Sequence, residues 1–101
     1  MRGPATGSGE GDRGVSVLAN PRPHYPQRAQ RLGVQGSVTV LITIGSDGRV
    51  IDAVVRQSSG DGELDREAIT TVRNRWRFAP ARRGGMPVEE SALLTVRFEL
   101  R

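Results

Sequence analysis

The chain has 101 residues, of which 36% are hydrophobic and only one Trp, one Tyr and two Phe are aromatic, so it accommodates one small domain with a modest core and no second domain. The formal net charge is +4 and all fifteen basic residues are arginine, but they are spread along the chain rather than gathered in a block, which disfavours a nucleic-acid or phospholipid surface. Cysteine is absent, which excludes a disulfide framework and thiolate metal sites; no apolar run approaches the roughly 20 residues of a membrane-spanning helix, and the amino end lacks a signal peptide's apolar segment, so a soluble segment is expected.

Residues 1–19 are expected to be a flexible linker or a cloning remnant. Met1 to Gly14 is rich in glycine and carries no large apolar side chain beyond Met1, too little to offset its own ordering entropy. Val15 to Leu18 is an apolar patch too short to assign. The ordered domain is expected over residues 20–101.

It opens with Asn20-Pro21-Arg22-Pro23-His24-Tyr25-Pro26, whose prolines fix φ and push their predecessors toward extended geometry, giving a stiff strap. Pro26 suits the first position of a short helix over Gln27 to Leu32, with Gly33 as its left-handed stop and Ala29 and Leu32 toward the core. Gly36 to Ile44 alternates with period two, Val38, Val40, Ile42 and Ile44 against Ser37, Thr39, Leu41 and Thr43, which predicts a strand with one buried face. Gly45-Ser46-Asp47-Gly48 supplies turn chemistry before a second β-branched run, Val50 to Val55, so the two form a hairpin. In that second strand Ile51, Ala53 and Val55 fall on one face and Val50 and Val54 on the other, leaving its register open.

After Ser58-Ser59-Gly60 the period becomes helical: Leu64, Ala68, Val72 and Trp76 recur every four residues with Ile69 beside them, Asp61 or Gly62 caps the start, and Arg73 and Arg75 suit the negative end. Pro80 stops the helix, and Arg82 to Pro87 is expected to be a loop. Ser91 to Leu100 alternates again, Ala92, Leu94, Val96, Phe98 and Leu100 against Leu93, Thr95, Arg97 and Glu99. The expected fold is α+β in the order helix-strand-strand-helix-strand, with a three-stranded antiparallel sheet packed against two helices.

No catalytic constellation emerges. The single histidine, His24, lies in the strap without a serine or carboxylate at a suggestive spacing, and one histidine without cysteine leaves a transition metal short of ligands. Ser58 to Gly62 joins a strand to a helix start but lacks the lysine and spacing of a phosphate loop, so turn and cap duty explains it. Trp76 shares the stripe of Leu64 and Val72 and reads as a core anchor rather than a base-stacking platform. Asp47, Asp52, Asp61, Glu63 and Asp65 read as solvated turn and cap carboxylates. No enzyme, cofactor or metal is expected.

Pro23-His24-Tyr25-Pro26 with Ala29 and Gly33, Gly36-Ser37-Val38, Ser46-Asp47-Gly48-Arg49-Val50, Ser58-Ser59-Gly60 with Leu64-Asp65 and Ala68, and Trp76-Arg77-Phe78-Ala79-Pro80 followed by Gly85, Pro87 and Phe98 together resemble the TonB C-terminal domain family over about residues 20–100. The resemblance implies the periplasmic domain of an energy transducer anchored in the inner membrane of a Gram-negative bacterium. Such a protein couples to ExbB and ExbD through an N-terminal part and binds the TonB box of an outer-membrane receptor for siderophores, haem or vitamin B12. It implies that the last strand accepts the TonB box as an added strand, with Leu93, Thr95, Arg97 and Glu99 beside it and Arg22, Pro23, His24 and Tyr25 of the strap in contact. Tyr25 has an alternative role, packing in the core with its hydroxyl satisfied. An isolated domain with such an edge is also expected to form homodimers. Two other readings stand beside this one: a TolA-like or other TonB-domain envelope adaptor not coupled to transport, and an arginine-based nucleic-acid module.

Overall fold

A computed structural model describes residues 15–100. Of the linker expected over residues 1–19, residues 1–14 lie outside the described part, whereas Ser16–Ala19 form a strand, β1. Its partner is β4, Arg77–Ala79, which directly follows the long helix; Val17 lies opposite Phe78. Four residues with a single apolar period give little signal alone, and a distant segment supplies the pairing.

The strap leads into α1, Gln27–Leu32, capped by Gly33 at φ 72° as the sequence predicts. Only Ala29 of this helix is buried; Leu32, expected to face the core, is exposed, because under two turns present one narrow apolar stripe and Ala29 occupies it. Strand β2, Gly36–Ile44, runs down the centre of a three-stranded antiparallel sheet in the order β3-β2-β7, with β3 over Val50–Gln57 and β7 over Glu90–Phe98. The second strand thus runs two residues past its expected end. Its facing is set by a register irregularity between Thr43 and Ile44: Ile44 pairs with Val50 and Thr43 with Asp52, so Ile51 bulges out and stays exposed while Ala53 and Val55 turn inward with Val50. An extra residue in one strand shifts the phase of the alternation, which is why apolar residues fell on both faces of the sequence pattern.

Helix α2, Gly62–Arg75, covers the sheet with Leu64, Ala68, Thr71 and Val72 buried. Asp61 caps it by accepting from the amides of Glu63 and Leu64 at 2.9 and 3.2 Å. Asp65 accepts from the Ser59 amide at 2.9 Å and from the hydroxyls of Ser58 and Ser59, so the Ser-Ser-Gly-Asp segment is a helix-start network. Trp76, fully buried, ends the helix on the stripe the sequence predicts. Arg82 to Pro87, expected to be a loop, is instead a hairpin of β5, Ala81–Arg83, and β6, Met86–Val88. Its two-residue Gly84-Gly85 turn has φ of 60° and 83°, the pattern whose twist suits paired strands.

The core gathers Val38, Val40, Ile42 and Ile44 of β2, Leu94, Val96 and Phe98 of β7, the α2 stripe, and Trp76 and Phe78. Gly48 locks the β2–β3 turn onto β4. Its carbonyl accepts from the Phe78 amide at 3.0 Å, its φ is 89°, and a Cβ there would fall 2.1 Å from the Phe78 carbonyl oxygen.

Candidate partner-binding edge

Strand β7 pairs with β2 over its whole length, from Gly36 opposite Phe98 to Ile44 opposite Glu90, and no strand among the described residues pairs along its other side. Antiparallel pairing leaves alternate N–H and C=O groups of an outer strand pointing away from the sheet, so β7 presents a nine-residue edge of main-chain groups that no described strand pairs with. Ala92, Leu94, Val96 and Phe98 are buried in the core, and this anchors the strand; Leu93, Arg97 and Glu99 are exposed and Thr95 half-buried on the open face.

The strap lies on the helical side. Trp76 Nε1 donates to the Pro21 carbonyl at 3.0 Å, fixing its start to the end of α2. The Tyr25 ring stands edge-on to Phe98, centroids 5.6 Å apart at 88°, and its hydroxyl donates to the Val34 carbonyl, fixing its end to β7 and the segment after α1. Burial raises the Tyr25 pKa above its ordinary value. Of the two roles weighed for Tyr25, this geometry provides the packed, hydroxyl-satisfied one. Between these anchors the strap alternates: Pro21, Pro23 and Tyr25 are half-buried, and Arg22 and His24 are exposed.

The eight sequence-predicted site residues therefore form two groups. Arg22, Pro23, His24 and Tyr25 sit in the layer of the helices, and Leu93, Thr95, Arg97 and Glu99 on the opposite face of the sheet, with the free backbone of β7 between them. An extended chain added to β7 alternates its side chains between both groups. At the far end Gln35, Gly36, Ser37, Phe98, Glu99 and Leu100 line a shallow groove, where Gln35 Oε1 accepts from the Leu100 amide at 2.6 Å.

Two features escaped the sequence reading. Arg28 of α1 reaches Asp61 and Glu63, each at 2.8 Å, and ties the short helix to the start of α2; spacing over 33 residues carries no signal for such a pair. Both carboxylates are partly exposed, so the pair orients more than it stabilises. Leu41 and Val54 join Leu93 on the open face, an apolar interruption of otherwise polar positions that the alternation did contain.

His24 is exposed on the strap, and among the described residues no cluster of three His, Cys, Asp or Glu side chains is placed to hold a metal ion. No helix among them is long and apolar enough to cross a membrane.

A family model described as Gram-negative bacterial TonB protein C-terminal matches residues 21–100. Protein TonB of Pseudomonas aeruginosa is 40% identical over 81 residues, covering 80% of this chain and 23% of that protein. Protein TonB of Vibrio cholerae is 32% identical over 89 residues, covering 88% of this chain and 36% of that protein. The chain thus spans about a quarter to about a third of the length of these curated relatives. The solution NMR structure of the Pseudomonas aeruginosa TonB CTD superposes with a TM-score of 0.71 at 37% identity, covering 89% of this chain and 90% of that one.

Proposed function

The chain belongs to the family of Gram-negative bacterial TonB protein C-terminal domains, and from that premise we propose that it is the periplasmic, receptor-gripping, non-enzymatic end of a TonB-type energy transducer. Its β7 edge takes up the TonB box of an outer-membrane TonB-dependent receptor as an added strand. The pull it transmits originates in the proton-driven ExbB and ExbD complex, which acts on parts of the protein outside this chain.

The observation that carries the reading is the free edge of β7, anchored from beneath by Leu94, Val96 and Phe98 and flanked by the pinned strap. Main-chain bonds account for tolerance of varied receptor sequences, since every residue offers them. At roughly 1 kcal/mol net each, a handful supply modest affinity, so side-chain contacts add the rest and the complex stays reversible. Loading along the strand strains these bonds together, so a weak interface withstands a pull. The strap loses little entropy on contact because prolines and two anchors already fix it.

Titrating the isotope-labelled chain with synthetic receptor amino-terminal peptides tests this: amide shifts concentrated in β7 and at Arg22 to Tyr25 are expected. Shifts centred on β3 or the β5–β6 hairpin, or none with any receptor tail of the same genome, contradict it and favour an adaptor role.

A further inference from the structure

We infer that the peptide accepted by β7 is read on the open face of the sheet by Leu93 and Arg97, and that it carries an apolar side chain and a carboxylate four residues apart. The inference rests on strand addition at β7 and specifies the chemistry of the partner.

The register arranges the open face in rows that cross all three strands. Val54 lies opposite Leu41, and Leu41 opposite Leu93. Both ends of this apolar row are bare, Val54 at 47% and Leu93 at 42% exposure. On one side of it Thr39 stands between Gln57 and Thr95, and on the other Thr43 stands between Asp52 and Ser91, so polar rows flank the apolar row on both sides, with exposed Ile51 at the bulge beyond Asp52. At β7 the band stops only because the sheet stops. A fourth strand continues it, with the residue level with Leu93 about 5 Å away between Cβ atoms.

Arg97, opposite Ser37, is exposed and makes no ion pair among the described residues. Glu99 follows two positions on, on the same face, and makes none either. Leu93 and Arg97 are four residues apart on one face, so their complements in a straight added strand are also four apart, whichever way that strand runs. A carboxylate level with Arg97 supplies the missing counter-charge, and a cation one further same-face position along suits Glu99. A second copy of this chain fits worse. Antiparallel pairing of two β7 strands over their full length, centred on Leu94, sets Thr95 level with Leu93 and Ser91 level with Arg97, leaving both without complement.

Six synthetic peptides of equal length test this by calorimetric titration of the whole chain: leucine and aspartate four apart in each of the two orders and, for each order, one with lysine for the aspartate and one with asparagine for the leucine. One of the two matched orders, which reports strand direction, is expected to bind about fivefold tighter than its lysine counterpart and about threefold tighter than its asparagine counterpart, the range of single cross-strand pairs. Arg97→Glu is expected to reverse the aspartate-over-lysine preference and leave the leucine preference intact; Leu93→Asn is expected to do the converse. Binding of all six with equal affinity, or preferences unmoved by these exposed-site substitutions, overturns the inference while leaving strand addition standing. Failure of all six to bind overturns both.

Discussion

Trp76 Nε1 donates a 3.0 Å hydrogen bond to the Pro21 carbonyl, joining residues 55 apart in sequence and holding the strap against the end of α2. The indole is fully buried and stands 6.5 Å from the Phe78 ring, so one side chain closes the core and fixes a segment of the proposed interface.

Replacing Trp76 with Phe removes that donor and part of the core volume. The combined loss is expected to lower stability by about 2 kcal/mol. Denaturant unfolding measures it, and amide exchange at Arg22 and His24 should rise out of proportion to the global loss, because the strap loses its first anchor. A stability loss with unchanged strap exchange would show that Tyr25 alone holds the segment.

Gly48→Ala is expected to cost several kcal/mol, because the added Cβ meets the Phe78 carbonyl oxygen at 2.1 Å in a left-handed backbone. Gly84→Ala is the control. It also has positive φ, 60°, but nothing lies within 4 Å of the new Cβ, so a loss of only about 1 to 2 kcal/mol is expected from thermal melts.

The start of α2 makes stability fall in acid. At Asp65 burial disfavours the charge, but hydrogen bonds from the Ser58 hydroxyl and from the amide and hydroxyl of Ser59 outweigh it and lower the pKa below 3.8. At Asp61 the Arg28 hydrogen bond leads, followed by the Leu64 amide, again lowering the pKa. A depressed folded-state pKa means that the unfolded chain binds protons first. The contribution is therefore complete well above pH 3.8 and lost as pH drops from there through the folded values. Asp65→Asn is expected to flatten that acid limb of the stability curve, measured by urea titration at a series of pH values.

Much of this was legible in the sequence, and the exceptions share a cause. The four-residue stripe of α2, the alternation of β2 and β7 and the cap at Asp61 are local patterns, and local patterns survive folding when the core demands the same faces. β1 and the facing of β3 were not legible, because one depends on a partner some sixty residues on, Val17 with Phe78, and the other on a single bulged residue, Ile51. The β5–β6 hairpin was hidden by Pro87, which reads as a breaker, although Gly84-Gly85 carried the turn signal. For the site, the sequence and its resemblance pointed to the strap and last strand, but not to their lying on opposite faces of one free edge, which depends on where Trp76 and Tyr25 pin the strap.

Substitutions at Arg22 and His24 are expected to separate binding from folding. Both are exposed, so alanine at either position is expected to change stability by no more than about 0.5 kcal/mol in chemical melts. The same substitutions are expected to weaken capture of a receptor peptide severalfold by fluorescence anisotropy. Unaltered capture would remove the strap from the interface and leave β7 as the whole of it.

Site-resolved hydrogen exchange along Glu90–Phe98, in the dilute monomer and then with receptor peptide, tests the central claim most directly. The account predicts fast exchange at alternate amides of β7 in the free chain, with protection of those same amides when peptide is added and little change on β3. Uniform protection of β7 in the free monomer, or a peptide that binds without slowing those amides, would contradict it.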